Sequence, residues 1–246
     1  MRLRVSQVDD ILPERKNAVN RHNAIQSAYR SLGKEATFYD GMVTCSTLPG
    51  RVVCGLVWNM GREKNARYLE KALSGIPDGF AGRLLEVPVG TGVLTMPVYK
   101  MLPQADITCL DYSPDMMATA QRRAEAAGFT NVRFQQGDVG MLPFGDNSFD
   151  LILSLNGFHA FPGKEAAYRE IYRVLRPSGT FCGCFYVKGE NRRTDWFIEK
   201  LYTPKGFFTP PYETAESLRQ RLERQYRQAM VEAVESIACF ICKKRG

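Results

Sequence analysis

The sequence predicts an α/β protein: a three-layer α/β/α sandwich with a mostly parallel sheet, a final antiparallel strand and an N-terminal helical lid. Three observations predict it. From Gly82 to Val187 short apolar strands alternate with amphipathic helices, the pattern of a parallel sheet covered on both faces. The first of these strands runs into a glycine turn, "LLEVPVGTG" at 84–92, which puts a ligand at the carboxyl end of the sheet where strand order reverses. The last stretch, "MVEAVESIACFICKK", reads as a strand pair turning at "VES". Together they describe a Rossmann-like core. The 246 residues, 44% of them hydrophobic, are enough for one large domain with a small appendage. The predicted division is a lid region at 1–80 and a core at 81–246, with a substrate-side insertion at about 188–213.

The elements follow in order. "NAVNRHNAIQSAYRSLG" carries apolar residues at helical spacing and stops at Gly33. "EATFYDGMVTC" is a loop or short helix, and "LPGRVVCGLVWNM" and "EKNARYLEKALSGI" are two further helices. "RLLEV" is a strand, and "VLTMPVYKML" after the glycine turn a helix. "DITCLDYS" is a strand; "PDMMATAQRRAEAAG" is a helix with Ser113 as N-cap and Pro114 at the first helical position. "VRFQQGD" and "FDLILSLNG" are strands, "KEAAYREIYRVL" is a helix ended by "RPSG", and "GTFCGCFYV" is the fifth strand. The polar and aromatic run "KGENRRTDWFIEKLYTPKGFFTPPY" then interrupts the alternation, before the helix "ETAESLRQRLERQYRQA" and the closing strand pair.

The formal charge is +7, with the basic excess towards both ends and no dense Lys/Arg run. That fits a solvated basic surface, and nucleic acid is disfavoured as a partner. No stretch is long and apolar enough for a membrane span. The start "MRLRVSQVDD" lacks a signal-peptide apolar region, so a cytoplasmic protein is expected. The cysteines number seven, an odd count scattered along the chain, which argues against a disulfide framework and for small buried hydrophobes. Cys182 and Cys184 share one face of a strand, whereas Cys239 and Cys242 point to opposite faces. With only His22 and His159 to supply imidazole, no metal site is expected.

The glycine turn alone does not choose a ligand. Counting from Gly90 and Gly92, the third glycine of a dinucleotide fingerprint is replaced by Thr95, and no Gly-Lys-Ser/Thr follows for a triphosphate. The next two strand ends decide more. Asp111 lies about twenty residues beyond the glycines, where a carboxylate accepts from two ribose hydroxyls. Asp138 ends the third strand, where a carboxylate can accept from the adenine amine while the backbone N–H of Val139 reaches a ring nitrogen. An adenosine without phosphates points to S-adenosylmethionine as cofactor. Helix-terminal charge for Asp111 and a turn aspartate for Asp138 are the structural alternatives.

"LLEVPVGTG", "ITCLDYSPDMM", "GDVGMLPFGDNSFDLILSLNGFHAF" and "YREIYRVLRPSGTF" stand in order across about 82–187. In these the chain resembles the class I S-adenosylmethionine-dependent methyltransferases, in the small-molecule branch with the ubiquinone/menaquinone-biosynthesis enzymes. The resemblance implies that Glu86 and the Gly90–Gly92 backbone hold the methionine end of the cofactor. It places Tyr112 and Met116 beside the adenosine and Leu155 and Asn156 at the reactive end. It also implies a closing role for Tyr39 in "FYDGM", for which an ordinary core aromatic is the other reading. It does not extend as well to the N-terminal region or beyond residue 187.

Pro88 stands where such turns commonly carry a glycine. A loop around a methionine ammonium needs a carbonyl, which proline keeps, so Pro88 is expected as a trans residue near the cofactor's amino-acid end. Beyond the fourth strand, His159 is the candidate catalytic base or orienter and a substrate contact; helix capping or packing is the alternative. Trp196, Tyr202, Phe208 and Tyr212 of the insertion are candidate walls for an aromatic or apolar small-molecule acceptor, or simply aromatics that dock the segment. "TPPY" at 209–212 resembles the motif of nucleobase amino methylation but follows the wrong strand and has Thr209 in the polar position. An RNA or protein methyltransferase, a cofactor-binding protein without methyl transfer, and a thiol mechanism through Cys45 and Cys54 are the competing readings.

Overall fold

The computed structural model describes residues 36–246, with side chains from residue 40; the first predicted helix and His22 lie outside the described residues. Helices α1 (Ala36–Val43), α2 (Leu48–Trp58) and α3 (Arg62–Leu73) precede the sheet. The core then runs β1 (Arg83–Glu86), α4 (Met96–Tyr99), β2 (Asp106–Asp111), α5 (Pro114–Ala126), β3 (Val132–Gln136), β4 (Phe149–Leu155), α6 (Lys164–Val174) and β5 (Leu175–Tyr186). The insertion forms α7 (Arg192–Phe197), continued by a π-helical turn (Ile198–Tyr202), and α8 (Ala215–Gln225), β6 (Gln228–Val234) and β7 (Ile237–Lys243) complete the chain.

The seven strands form one sheet in the order β3-β2-β1-β4-β5-β7-β6. The first five are parallel, and β7 pairs antiparallel with both β5 and β6. The chain winds outward from β1 to β3, then returns to lay β4 on the other side of β1. That reversal opens the crevice between the carboxyl ends of β1 and β4. Leu84, Leu85, Ile152, Leu153, Phe181 and Cys182 are fully buried, as expected of strands covered on both faces. One core joins the sheet to α3, α4 and α5 through Tyr68, Ala72, Met96, Tyr99 and Ala120. The other joins it to α6 and α8 through Ala167, Ile171, Leu218 and Leu222. Cys182 and Cys184 share the first core, and Cys239 and Cys242 fall in opposite ones, as strand alternation requires.

Several expectations need correction. The helix expected over 93–102 is confined to Met96–Tyr99. Pro97 fits only a first helical turn, so the helix opens beside it. "RPSG" does not precede the fifth strand but begins it, as an exposed segment with Ser178 at φ 60° and a register shift opposite Phe149–Leu151. Helix α8 ends at Gln225, and Gln228 and Ala229, expected as helix, pair with β7 instead; sheet pairing overrides their helical preference. Cys45 and Cys54 form a disulfide with Cα atoms 6.3 Å apart, within bridging range. The short α1–α2 connection brings them together, which spacing alone did not reveal. The remaining five cysteines are buried and free.

Other local signals behave as written. Ser113 caps α5 with its hydroxyl accepting from the Met116 N–H, and Thr214 and Ser217 form a capping box on α8. The β6–β7 strands turn at Glu235 and Ser236, with Glu235 at φ 51°. Lys64 pairs with Glu235 and Lys71 with Glu232, fastening α3 to this hairpin.

Candidate active site

The carboxyl ends of β1 to β4 surround one pocket. Its lining includes Glu86, Pro88, Gly90, Gly92, Asp111, Tyr112, Met116, Asp138, Val139, Leu155 and Asn156. The glycine turn needs its glycines, since Gly90 and Gly92 sit at φ 56° and 71°. Asp111 organises that turn from the end of β2. Its Oδ2 accepts from the Gly90 N–H at 2.7 Å and its Oδ1 from the Ser113 N–H at 2.8 Å. Burial pushes its carboxyl up to about 6, against the backbone N–H groups of Ser113, Gly90 and Tyr112. A carboxylate has about four acceptor positions, so acceptor capacity remains for a ligand's hydroxyls beside these backbone contacts.

Glu86, at the end of β1, is 1% exposed. Tyr99 and Thr95 from the α4 side donate to its Oε2 at 2.7 and 3.1 Å, and the Cys109 thiol lies 3.6 Å from the same oxygen. Burial raises its carboxyl to about 8, opposed by these hydrogen bonds. The folded value therefore lies above the unfolded one, and the native state keeps a proton that the unfolded chain has released. Stability from this group is present at low pH and lost as pH rises towards 8. The clearest window is pH 6.5 to 8. Below it, His159, pulled down to about 3, acts in the opposite sense and Asp111 adds its own term; Lys164, pulled down to about 8, acts above it. Ligand-free protein should lose about 1 kcal/mol of stability per pH unit there. Glu86→Gln should flatten that slope in urea titrations; an unchanged slope would rule out Glu86 as its source.

Pro88 lines the pocket, but its peptide bond from Val87 is cis, not trans as expected. A tertiary amide makes the cis form accessible at about 0.5–1 kcal/mol, and nothing in the local sequence selects it. Across the fold, a side chain at Gly157 would fall 2.4 Å from Pro88 Cδ, so the ring occupies space that glycine leaves open.

On the adenine side, Asp138 Oδ1 accepts from the Gly140 N–H at 2.8 Å, and Val139 is buried. Met116 is buried, whereas Tyr112 is 37% exposed at the rim. At the other end Asn156 leaves β4 at φ 53° and donates its N–H to the Cys184 carbonyl at 2.7 Å. Val43, Ala160, Phe161 and Pro162 give that end an apolar wall.

Tyr39 lies on α1, and its side chain is outside the described residues. Its neighbour Asp40 makes the visible tie. The Asp40 carboxylate accepts from Thr91 Oγ1 at 2.6 Å and pairs with Arg123 of α5, while Arg123 also donates to the Thr91 carbonyl. Sequence reasoning named Tyr39 and passed over Asp40, Thr91 and Arg123, because their meeting depends on how α1 crosses the glycine turn. Thr95 and Tyr99 were likewise missed as partners of Glu86, although their one-turn spacing on the segment after the glycines was a usable signal.

His159 and the insertion aromatics are gathered elsewhere. His159 is 8% exposed, stacks on Phe208 at 4.2 Å, and has no partner for Nδ1 among the described residues. Burial, with the Lys164 charge nearby, pulls its imidazole down to about 3, so the ring is neutral. Phe208 also packs on Trp58, Tyr186 and Tyr202, and Tyr212 lies against Tyr186 and bonds Thr203. Trp196 is 52% exposed and stacks edge-on with Phe197. None of these five lines the pocket; Phe208 and Tyr212 dock the insertion onto the core, with Tyr202 and His159 packed on Phe208, whereas Trp196 stays at the surface.

Glu86, Asp111 and Asp138 line the pocket, and no Lys, Arg or His does so among the described residues. A phosphate would meet acidic side chains with no cationic side chain beside them, whereas a cationic ligand with ribose hydroxyls fits this set of acceptors. No group of side chains among the described residues could hold a metal ion, and no helix there is long and apolar enough to cross a membrane.

Residues 84–179 match a family model described as a methyltransferase domain. A demethylmenaquinone methyltransferase of Thermus thermophilus is 41% identical over 97 residues, which are 39% of this chain and 44% of the relative. The ubiquinone/menaquinone biosynthesis C-methyltransferase UbiE of Dinoroseobacter shibae is 38% identical over 100 residues, 40% of each chain. The matched stretch is thus under half the length of either curated relative. Among solved structures, Haemonchus contortus phospholethanolamine N-methyltransferase 2, in complex with phosphomonomethylethanolamine and S-adenosylhomocysteine, superposes with TM-score 0.64 at 16% identity, covering 80% of this chain and 58% of that one. The cyclase SpnF does so with TM-score 0.61 at 20% identity, covering 75% and 82%; at such identities the likeness is one of fold. With the three strand-end carboxylates and the glycine turn they flank, the matched region, residues 84–179, is a class I S-adenosylmethionine-dependent methyltransferase domain related to the demethylmenaquinone and ubiquinone/menaquinone methyltransferases.

Proposed function

We propose that the protein transfers a methyl group from S-adenosylmethionine to a small, aromatic or otherwise apolar acceptor, in the cytoplasm. The observation that carries this is the phosphate-excluding pocket, with carboxylates on three successive strand ends and an apolar wall beyond β4. The cofactor, when bound, supplies an activated sulfonium methyl group. Glu86 would take the methionine ammonium together with backbone of the Pro88–Gly92 turn, Asp111 the ribose, and Asp138 with the Val139 N–H the adenine. Met116 and Tyr112 would enclose the adenosine. Leu155, Asn156, Ala160 and Phe161 would shape the acceptor's approach and exclude water, since aligning the partners is the protein's main task in such a displacement.

His159 belongs in this proposal as an orienting residue: neutral, buried and stacked on Phe208, it would hold the loop after β4 rather than take a proton. Tyr202 and Tyr212 would support the same segment from outside the pocket, and Trp196, at the surface of the insertion, would not touch the acceptor. The reading predicts coupling between cofactor and protons. An ammonium beside Glu86 favours its ionised form, so binding S-adenosylhomocysteine should release a proton, and affinity should rise between pH 6.5 and 8. Calorimetry in two buffers of different ionisation heat measures this, and zero proton release would remove Glu86 from the ammonium site.

The likeness to SpnF, named a cyclase, favours testing a second reading, cofactor binding without methyl transfer. Incubation with methyl-labelled cofactor and a panel of phenols, quinols and apolar amines separates the two. Label entering an acceptor supports transfer; tight binding with no turnover across the panel supports the alternative.

A further inference from the structure

Helix α2 carries an apolar stripe that nothing in the described structure covers. Leu48, Val52 and Leu56, spaced four apart, are 73%, 64% and 53% exposed, whereas Gly50, Cys54 and Val57 face the core. One face of an α-helix repeats at this spacing, so the three side chains form a single ridge. Helix α7 lies beside it. Arg193 reaches across to the Gly55 carbonyl and to Asn59 Oδ1, both on the exposed side of α2, and Thr194 Oγ1 donates to the Val57 carbonyl at 2.7 Å. Trp196, one turn beyond Arg193, is 52% exposed, and Leu201 in the π-helical turn is 44% exposed. Two packed helices thus expose large apolar side chains on adjoining surfaces, and isolated exposed residues would not line up in this way.

The charges around this face are mostly of one sign. Arg51 sits on α2 between Leu48 and Val52, and Arg192 and Lys200 flank Trp196 four residues to either side. None of the three has an acidic partner among the described residues. Of the nearby acids, Asp195 of α7 accepts from the Tyr186 hydroxyl and the Gly189 N–H, Glu199 is paired with Lys188, and Glu190 stands at the edge of the insertion. An apolar ridge, an exposed tryptophan and basic side chains beside them are what an interfacial helix offers to anionic headgroups.

We infer that the α2–α7 face docks this protein on an anionic lipid surface, with Leu48, Val52, Leu56 and Trp196 entering the interface and Arg51, Arg192 and Lys200 meeting the headgroups. No residue of α2 or α7 lines the pocket, so the face is separate from it. The docking claim is independent of the methyl-transfer reading.

The test is co-sedimentation of the full chain with vesicles of phosphatidylcholine alone and of phosphatidylcholine mixed with phosphatidylglycerol. The wild-type protein should pellet with the mixed vesicles and not with the neutral ones, and lose that binding as salt is raised to about 1 M. Leu48→Ser, Val52→Ser and Leu56→Ser together should weaken partitioning by at least about tenfold, with melting temperature and S-adenosylhomocysteine affinity unchanged. Arg51→Glu with Lys200→Glu should also weaken it, through charge alone. Absence of pelleting, equal pelleting on neutral vesicles, or a triple-serine variant that binds like wild type would each overturn the proposal. So would a wild-type dimer in analytical ultracentrifugation that the triple variant dissociates, because the ridge would then be covered by a second copy of the chain.

Discussion

Asp111→Ala should weaken S-adenosylhomocysteine binding by at least about 100-fold in calorimetry, because a hydrogen bond to a charged group contributes about 1.5–3 kcal/mol and Asp111 would make two to the ribose. The substitution also removes the acceptor that holds the Gly90 N–H at 2.7 Å and the Ser113 N–H at 2.8 Å, so the glycine turn loosens as the ligand contact disappears. Asp111→Asn separates the effects. It keeps one acceptor for the turn but introduces donors where the ribose hydroxyls would donate, so it should bind nearly as poorly while melting closer to wild type. The carboxyl titrates near 6 in the folded protein, so both comparisons belong at pH 7.5 or above, where the wild-type group is ionised. Wild-type affinity in Asp111→Ala would refute the ribose assignment and with it the central reading of the pocket.

Gly183→Ala should be the most damaging single-methyl change in the sheet. A Cβ there would fall 1.9 Å from the Ser154 carbonyl oxygen and 2.7 Å from its carbon, and the residue sits at φ 154°. The obstacle is backbone of the neighbouring strand, so no rotamer change relieves it; β4 and β5 must part. Close approach of another backbone is a recurrent reason for glycine in a central strand. The expected loss is at least about 3 kcal/mol, visible as a large drop in urea midpoint or as insoluble protein. The pocket should suffer as well, since Ser154 leads into Leu155 and Asn156, and Asn156 is anchored to the carbonyl of Cys184, the next residue along β5. Gly189→Ala, with open space around its Cβ position though at φ 101°, provides a milder control. A Gly183→Ala protein with wild-type stability would mean that the β4–β5 spacing is not set by this glycine.

The sequence alone determined the parts of this protein whose causes are local. Strand–helix alternation announced the parallel sheet, Ser113 and Pro114 fixed the start of α5, and "VES" marked the last turn. Glu86, Asp111 and Asp138 stand at strand ends, so recognising the strands sufficed to bring all three to one edge of the sheet. The methyltransferase resemblance was legible for the same reason: its residues lie on consecutive strand-to-helix turns.

Only the tertiary structure decided what depends on surfaces meeting across the fold. The ring of Pro88 packs against Gly157, far from it in sequence, and its bond is cis where a trans bond was expected. Cys45 meets Cys54 because α1 and α2 double back on each other. Asp40 reaches Thr91 and Arg123 because α1 crosses the glycine turn. His159 and Tyr202 pack on Phe208, and Tyr212 on Tyr186, outside the pocket lining, a choice that aromatic composition leaves open, since the same rings can wall a ligand or dock a segment. Periodicity and strand-end chemistry are carried by a few consecutive residues and can be read from them; rotamers, proline isomers and long-range ion pairs follow from packing energy that exists only once the chain has folded.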